Sequence, residues 1–98
     1  MTKVALLAWL EAKPGKEEEV AEFLKSALPL AEAESLTVNW YAWRTGDFVF
    51  GIFDTFETEQ GRDAHLNGEI AAALMANADR LLAKPPIIEK LEILAAKE

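Results

Sequence analysis

The chain carries one histidine, His65, and no cysteine. Proton transfer near neutral pH therefore falls first to that imidazole, which titrates close to 6.5 when unperturbed. Asp54 lies among Phe50, Ile52 and Phe56 on an apolar strand. Its even position puts its side chain in their layer, where a carboxylate needs a partner or it protonates. His65 or Arg62, on the helix that follows, is the expected partner. His65 then serves as base or hydrogen-bond donor, and Asp54 orients or pairs with it. The plain counterpart is a helix-flank histidine bonded to Asp54, Asp63 or water, with Asp54 at the solvent rim. Glu17, Glu18 and Glu19 form no metal site, because consecutive helical side chains point in different directions. No nucleophile elbow, phosphate loop, dinucleotide fingerprint or metal-ligand spacing is present.

The elements that must position these residues follow one another with short breaks. Residues 3–11 are apolar on both alternating sides, the pattern of a strand covered on both faces. Lys13-Pro14-Gly15-Lys16 signals a turn, and the three glutamates suit the positive end of a helix dipole. Val20, Phe23, Leu24, Ala27, Leu28 and Ala31 then recur at helical spacing, with Pro29 either kinking that helix or ending its regular part near Leu28. Residues 36–44 and 47–56 read as strands joined by a tight turn at Thr45-Gly46. Thr58 caps a helix over about 59–83, which Asn67-Gly68 divides into a short piece bearing His65 and a longer one. Pro85-Pro86 stops it, and residues 87–95 form the last strand. The order β-α-β-β-α-β within one domain, 1–98, predicts an α+β, ferredoxin-like fold. It has a four-stranded antiparallel sheet with two helices on one face.

Two helices cover one face of such a sheet, yet three strands are apolar on both. Leu7 and Trp9 oppose Leu6 and Ala8, Tyr41 and Trp43 oppose Val38 and Trp40, and Val49 and Phe53 oppose Phe50 and Ile52. A bare face of that extent exceeds what soluble monomers tolerate, so a homodimer through the sheet face is expected. With 17 acidic and 10 scattered basic residues the chain carries a net charge of −7, which weighs against nucleic acid. The longest apolar run, Val4–Leu10, is far short of the ~20 residues that span a bilayer, and no cleavage site follows it. No membrane association and a cytoplasmic location are expected.

Several segments together resemble the antibiotic biosynthesis monooxygenase superfamily, the dimeric α/β-barrel proteins that include small quinol-monooxygenase-like members. They are the apolar first strand leading into Ala12-Lys13-Pro14-Gly15-Lys16-Glu17-Glu18-Glu19, a strand ending Asp54-Thr55-Phe56, Asp63-Ala64-His65-Leu66 about nine residues on, and a closing Pro-Pro-Ile-Ile-Glu strand. The resemblance implies a dimeric α/β barrel. It also implies oxygenation without a cofactor, in which a deprotonated electron-rich aromatic reduces O₂ itself and the protein supplies an apolar pocket, a base or donor, and exclusion of water. No cofactor and no metal are expected. The haem-degrading branch is disfavoured: Ala8 stands at the place of its first-strand Asn, His65 at that of its Trp, and Met75 near that of its ligating His. Trp40 stands where relatives often carry Tyr, and Phe56 where they often carry Trp.

The function expected is a cofactor-independent monooxygenase acting on a small aromatic or quinol, with its pocket between the sheet and the second helix. His65 and Asp54 carry the chemistry, Trp40, Phe50 and Phe56 form the apolar walls, and Asn39 and Arg62 are further ligand contacts. Parity alone does not say whether Asn39, Tyr41 and Trp43 or Trp40, Ala42 and Arg44 face the helices. The alternative is a non-catalytic homodimer that binds a small hydrophobic ligand or a protein partner. A lyase or isomerase on the related barrel is a third reading, separated from the first by its independence of oxygen.

Overall fold

The computed structural model describes residues 2–98. Strand β1 spans Val4–Glu11 and ends at the turn in which Gly15 takes φ +87°, a left-handed conformation that side chains rarely adopt. Helix α1 (Glu17–Ser26) begins with the three glutamates, and Pro29 separates it from a short helix α2 (Leu28–Ala33) by sitting in the first turn of the latter. A proline there lacks only a donor that has no intrahelical acceptor anyway, so it restarts the helix. Strand β2 (Thr37–Thr45) and strand β3 (Val49–Phe56) form the hairpin. Its loop is Gly46-Asp47-Phe48, one residue longer than a two-residue turn, with Gly46 at φ +68°.

Thr58 caps helix α3 (Glu59–Leu66) by accepting a hydrogen bond from Gly61 N at 3.1 Å. The chain breaks at Asn67-Gly68 and continues as helix α4 (Glu69–Leu81). Strand β4 covers Ile87–Glu92, shorter than the 87–95 expected. Ile93 N still donates to Lys3 O, but the chain then leaves the sheet, and the Glu98 carboxylate accepts from the Thr2 hydroxyl at 2.6 Å. Among the described residues no helix is long and apolar enough to cross a membrane.

All strand pairs are antiparallel, in the order β2-β3-β1-β4, as the ferredoxin-like element order requires. The register sets the faces. Trp40, Asp54 and Leu6 stand side by side across β2, β3 and β1, and Ala42, Ile52 and Ala8 form the next row. These even-numbered residues lie under the helices, where Ala8, Leu10, Phe50 and Ile52 pack with Val20 and Leu24 of α1 and Leu74, Ala78 and Leu81 of α4. A bulge between Thr37 and Asn39 shifts the parity of β2 at its start. Val38 becomes half-exposed at 47%, and Thr37 turns back toward Glu34. The odd-numbered residues Trp9, Tyr41, Trp43 and Phe53 occupy the opposite face, which no helix covers.

Candidate functional site

Asp54 sits at the middle of the helix-covered face and is 1% exposed. His65, in the last turn of α3, reaches down to it: His65 Nε2 lies 2.9 Å from Asp54 Oδ2. The other ring nitrogen is also engaged. His65 Nδ1 lies 2.6 Å from Oε1 of Glu34, the residue that ends α2. Glu34 Oε1 also accepts the Thr37 hydroxyl at 2.7 Å. The imidazole packs at a tilt against Phe56, ring centroids 5.5 Å apart. Asp54 Oδ1 has no hydrogen-bond partner among the described residues.

The electrostatics decide which group holds the proton. Burial alone pushes the imidazole toward its neutral form. The hydrogen bonds and charges of Asp54, and then of Glu34, together outweigh burial and raise the pKa of His65 to about 9. At neutral pH His65 is therefore an imidazolium that donates to a carboxylate at each nitrogen. It has no lone pair to accept a proton. Of the two roles set for it by the sequence, base and donor, a carboxylate beside each ring nitrogen favours the donor. The free acceptor of the cluster is Asp54 Oδ1.

A cavity of about 40 Å³ opens beside this pair. Leu6, Ala8, Ile52, Leu66, Ile70, Leu74 and Ile88 provide most of its wall, and Asp54 and His65 are its only titratable groups among the described residues. The apolar walls expected from the sequence are elsewhere. Trp40 and Phe50 line a separate open groove of about 540 Å³ between α1 and β2, where the Arg44 guanidinium lies 4.8 Å over the Phe50 ring. The reason is lateral position. Trp40 stands on β2, on the far side of Asp54 from the cavity, and its buried indole Nε1 finds no partner among the described residues. Phe56 touches the site only through the His65 ring.

Two further candidates are placed away from the cavity. Asn39 lies on the uncovered face, the opposite side of β2 from Trp40, where its amide donates to Thr55 Oγ1 at 3.0 Å. Arg62 is buried, but its Nη1 donates to the carbonyls of Ala5 and Leu91 at 3.3 and 3.2 Å, tying α3 to β1 and β4. His65 alone takes the place beside Asp54 that the sequence left to either residue.

Glu34 is the member of the cluster that sequence reasoning missed. It follows Glu32 in an alanine-rich stretch, and nothing in the residue pattern separates the two. Only the chain's turn after α2 and the bulge in β2 bring it against His65. Among the described residues no group of three His, Asp or Glu side chains is placed to hold a metal ion. Here Asp54 and Glu34 occupy opposite nitrogens of the ring.

No protein-family model and no curated protein matches the chain. Solved structures do. The NE2512 protein of unknown function from Nitrosomonas europaea is 63% identical over 100% of this chain and 95% of its own, with a TM-score of 0.98. Rv0793 from Mycobacterium tuberculosis is 16% identical, covering 98% of this chain and 99% of its own at a TM-score of 0.87. A protein from Caulobacter crescentus described as a "putative antibiotic biosynthesis monooxygenase" is 18% identical, covering 96% and 92% at a TM-score of 0.80. The chain therefore belongs to one family with the Nitrosomonas europaea NE2512 protein, and it shares its fold with the Caulobacter crescentus protein.

Proposed function

We propose that the chain is a cofactor-independent oxygenase of a small aromatic quinol, working in the cytoplasm as a homodimer. One observation carries this reading: Asp54, buried and lining an apolar cavity, has one oxygen without a partner among the described residues while the imidazolium of His65 holds the other. Asp54 Oδ1 takes the substrate's hydroxyl proton, and the resulting anion carries the electrons that reduce O₂. A quinol and O₂ have the atoms of a hydroxyquinone and water, so no outside reductant enters the balance. The fixed positive charge of His65, in a site with little water, favours the anionic species formed along the way. Exchange of Asp54→Asn removes the base and keeps its shape. Oxygen uptake with a panel of quinols is expected in the wild type and to fall by about 10²-fold or more in Asp54→Asn. Equal rates in both proteins end the assignment.

The homodimer is supported by the uncovered face, where Trp9, Tyr41 and Ile87 are 40%, 57% and 48% exposed. Light scattering at micromolar concentration is expected to give twice the chain mass, and a monomer there rejects this part. The size of the cavity favours a second reading. About 40 Å³ is well below the ~150 Å³ of a cavity that takes up benzene. A homodimeric protein that binds a small ligand or a partner without chemistry fits that volume as well, and the absence of oxygen uptake with every quinol selects it.

A further inference from the structure

We propose that the cavity beside Asp54 and His65 is a dry pocket for a small apolar gas molecule, dioxygen, and that no aromatic ring enters it. The identity of the gas rests on the oxygenase reading, whereas the size and polarity of the pocket stand without it. Three observations carry the assignment. The first is volume. The cavity measures about 40 Å³, and one water takes up ~10–15 Å³ on the same scale. That leaves room for about three water-sized spheres, enough for a diatomic molecule. Benzene occupies a cavity of ~150 Å³, so a six-membered ring does not fit.

The second is polarity. Leu6, Ala8, Ile52, Ile70 and Leu74 line the cavity, and each is buried. A trapped water needs roughly two to four polar partners. Both ring nitrogens of His65 already face carboxylates, which leaves Asp54 Oδ1 as the one unpartnered polar side-chain atom of the wall residues among the described residues. A single acceptor does not hold a water, and a molecule with no hydrogen bonds to lose is favoured in its place.

The third is position. His65 lines the cavity with a carboxylate beside each of its nitrogens, so a molecule held there lies against a fixed positive charge. On the oxygenase reading the quinol anion passes one electron to O₂, leaving a semiquinone and superoxide, and no outside reductant enters. The imidazolium favours the superoxide, whose negative charge forms beside it. Ile88 on β4, at 44% the most exposed residue of the wall, marks the side on which the pocket opens.

The test is NMR of methyl-labelled full-length protein, equilibrated first under xenon and then under oxygen pressure. Xenon is expected to shift the methyls of Ile52, Ile70 and Leu74 saturably. Dissolved O₂ is paramagnetic and is expected to relax them several-fold faster than the equally buried methyls of Leu24 and Leu81, which lie in the core but outside the cavity. Ala8→Val from the strand side and Ala71→Val from the helix side each fill the pocket, and each is expected to abolish both effects. Ala71 is only partly buried, so its variant keeps the test open if Ala8→Val does not fold. With any quinol that is oxidised, Ala71→Val is expected to raise KM for O₂ about tenfold and leave KM for the quinol unchanged. Both gas effects at these methyls uphold the pocket even if no quinol is oxidised, a failure that falls on the oxygenase reading alone. No effect of either gas overturns it, as do saturable shifts of the same methyls by benzene. An unchanged KM for O₂ in Ala71→Val also overturns it and leaves the oxygenase reading standing.

Discussion

The two faces of one sheet are built on opposite terms. Beneath the helices, β1, β2 and β3 present Leu6, Trp40 and Asp54 in one row, and the single carboxylate there is locked by His65, which Glu34 locks in turn. On the other face the same strands present aromatic rings with no helix over them. Trp9 and Trp43 meet edge to face with centroids 5.2 Å apart, and Tyr41 stacks on Phe53 at 6.4 Å. Trp9 keeps its polar tip satisfied by donating to Glu89 at 2.8 Å while its ring stays exposed. Gly51 is the hinge of that arrangement: a Cβ there would lie 2.0 Å from Trp43 Cζ2 and 2.5 Å from the Ala8 carbonyl. The inner face thus holds charge in low dielectric, and the outer face rests on ring packing with a few hydrogen bonds at its edges.

That contrast is open to graded attack. The largest effect is expected from His65→Ala, which leaves Asp54 and Glu34 facing each other across a gap. Removing one partner of a buried ionic cluster costs about 3–5 kcal/mol, read as a fall in unfolding temperature of on the order of 15 °C or more. If His65→Ala costs no more than a surface change, charge does not organise the inner face.

Next comes pH. The His65 pKa is raised from 6.5 to about 9 by its carboxylates, so its contribution is complete below about 6.5 and is lost as pH rises through about 9. The expected loss is about 3 kcal/mol, seen in thermal melts between those limits. Glu34→Gln is expected to shrink it. A melting temperature that is flat across this window, with Glu34→Gln behaving alike, removes the clamp.

Gly51→Ala should act on the outer face instead. Because one of the blocked contacts is backbone, Trp43 must swing away and the strands must part slightly, at a cost of about 1–3 kcal/mol. Trp fluorescence should change with it while the titration of His65 does not. A changed His65 titration in Gly51→Ala would couple the two faces. The smallest effect is expected from Thr58→Ala, which removes the cap of the helix that carries His65 and costs about 1 kcal/mol in chemical denaturation. A loss below 0.3 kcal/mol, on the order of measurement error, would mean that the cap does not hold α3 in place.

The sequence made the scaffold legible because its signals are local. The Pro29 and Asn67-Gly68 breaks, the Thr58 cap and the two-sided apolar strands each fall where a few neighbouring residues dictate them. Asp54 and His65 were legible as a pair, since an even strand position and the next helix bring them to one layer. The cavity was not. Its walls come from β1, β3, α3, α4 and β4, and which apolar residues meet beside Asp54 depends on strand order across the sheet. Trp40 and Phe50 have the parity of the site but stand outside the cavity, and Asn39 has the other parity. Glu34 was hidden for a related reason: its contact with His65 spans 31 residues and depends on a turn and a bulge that leave little trace in composition.

The most direct test of the clamped imidazolium is a ¹⁵N NMR titration of the ring of His65, the chain's single histidine. Both ring nitrogens are expected to be protonated at pH 7, with loss of the proton centred near pH 9. A neutral tautomer at pH 7, titrating near 6.5, would contradict the account and return His65 to the role of base.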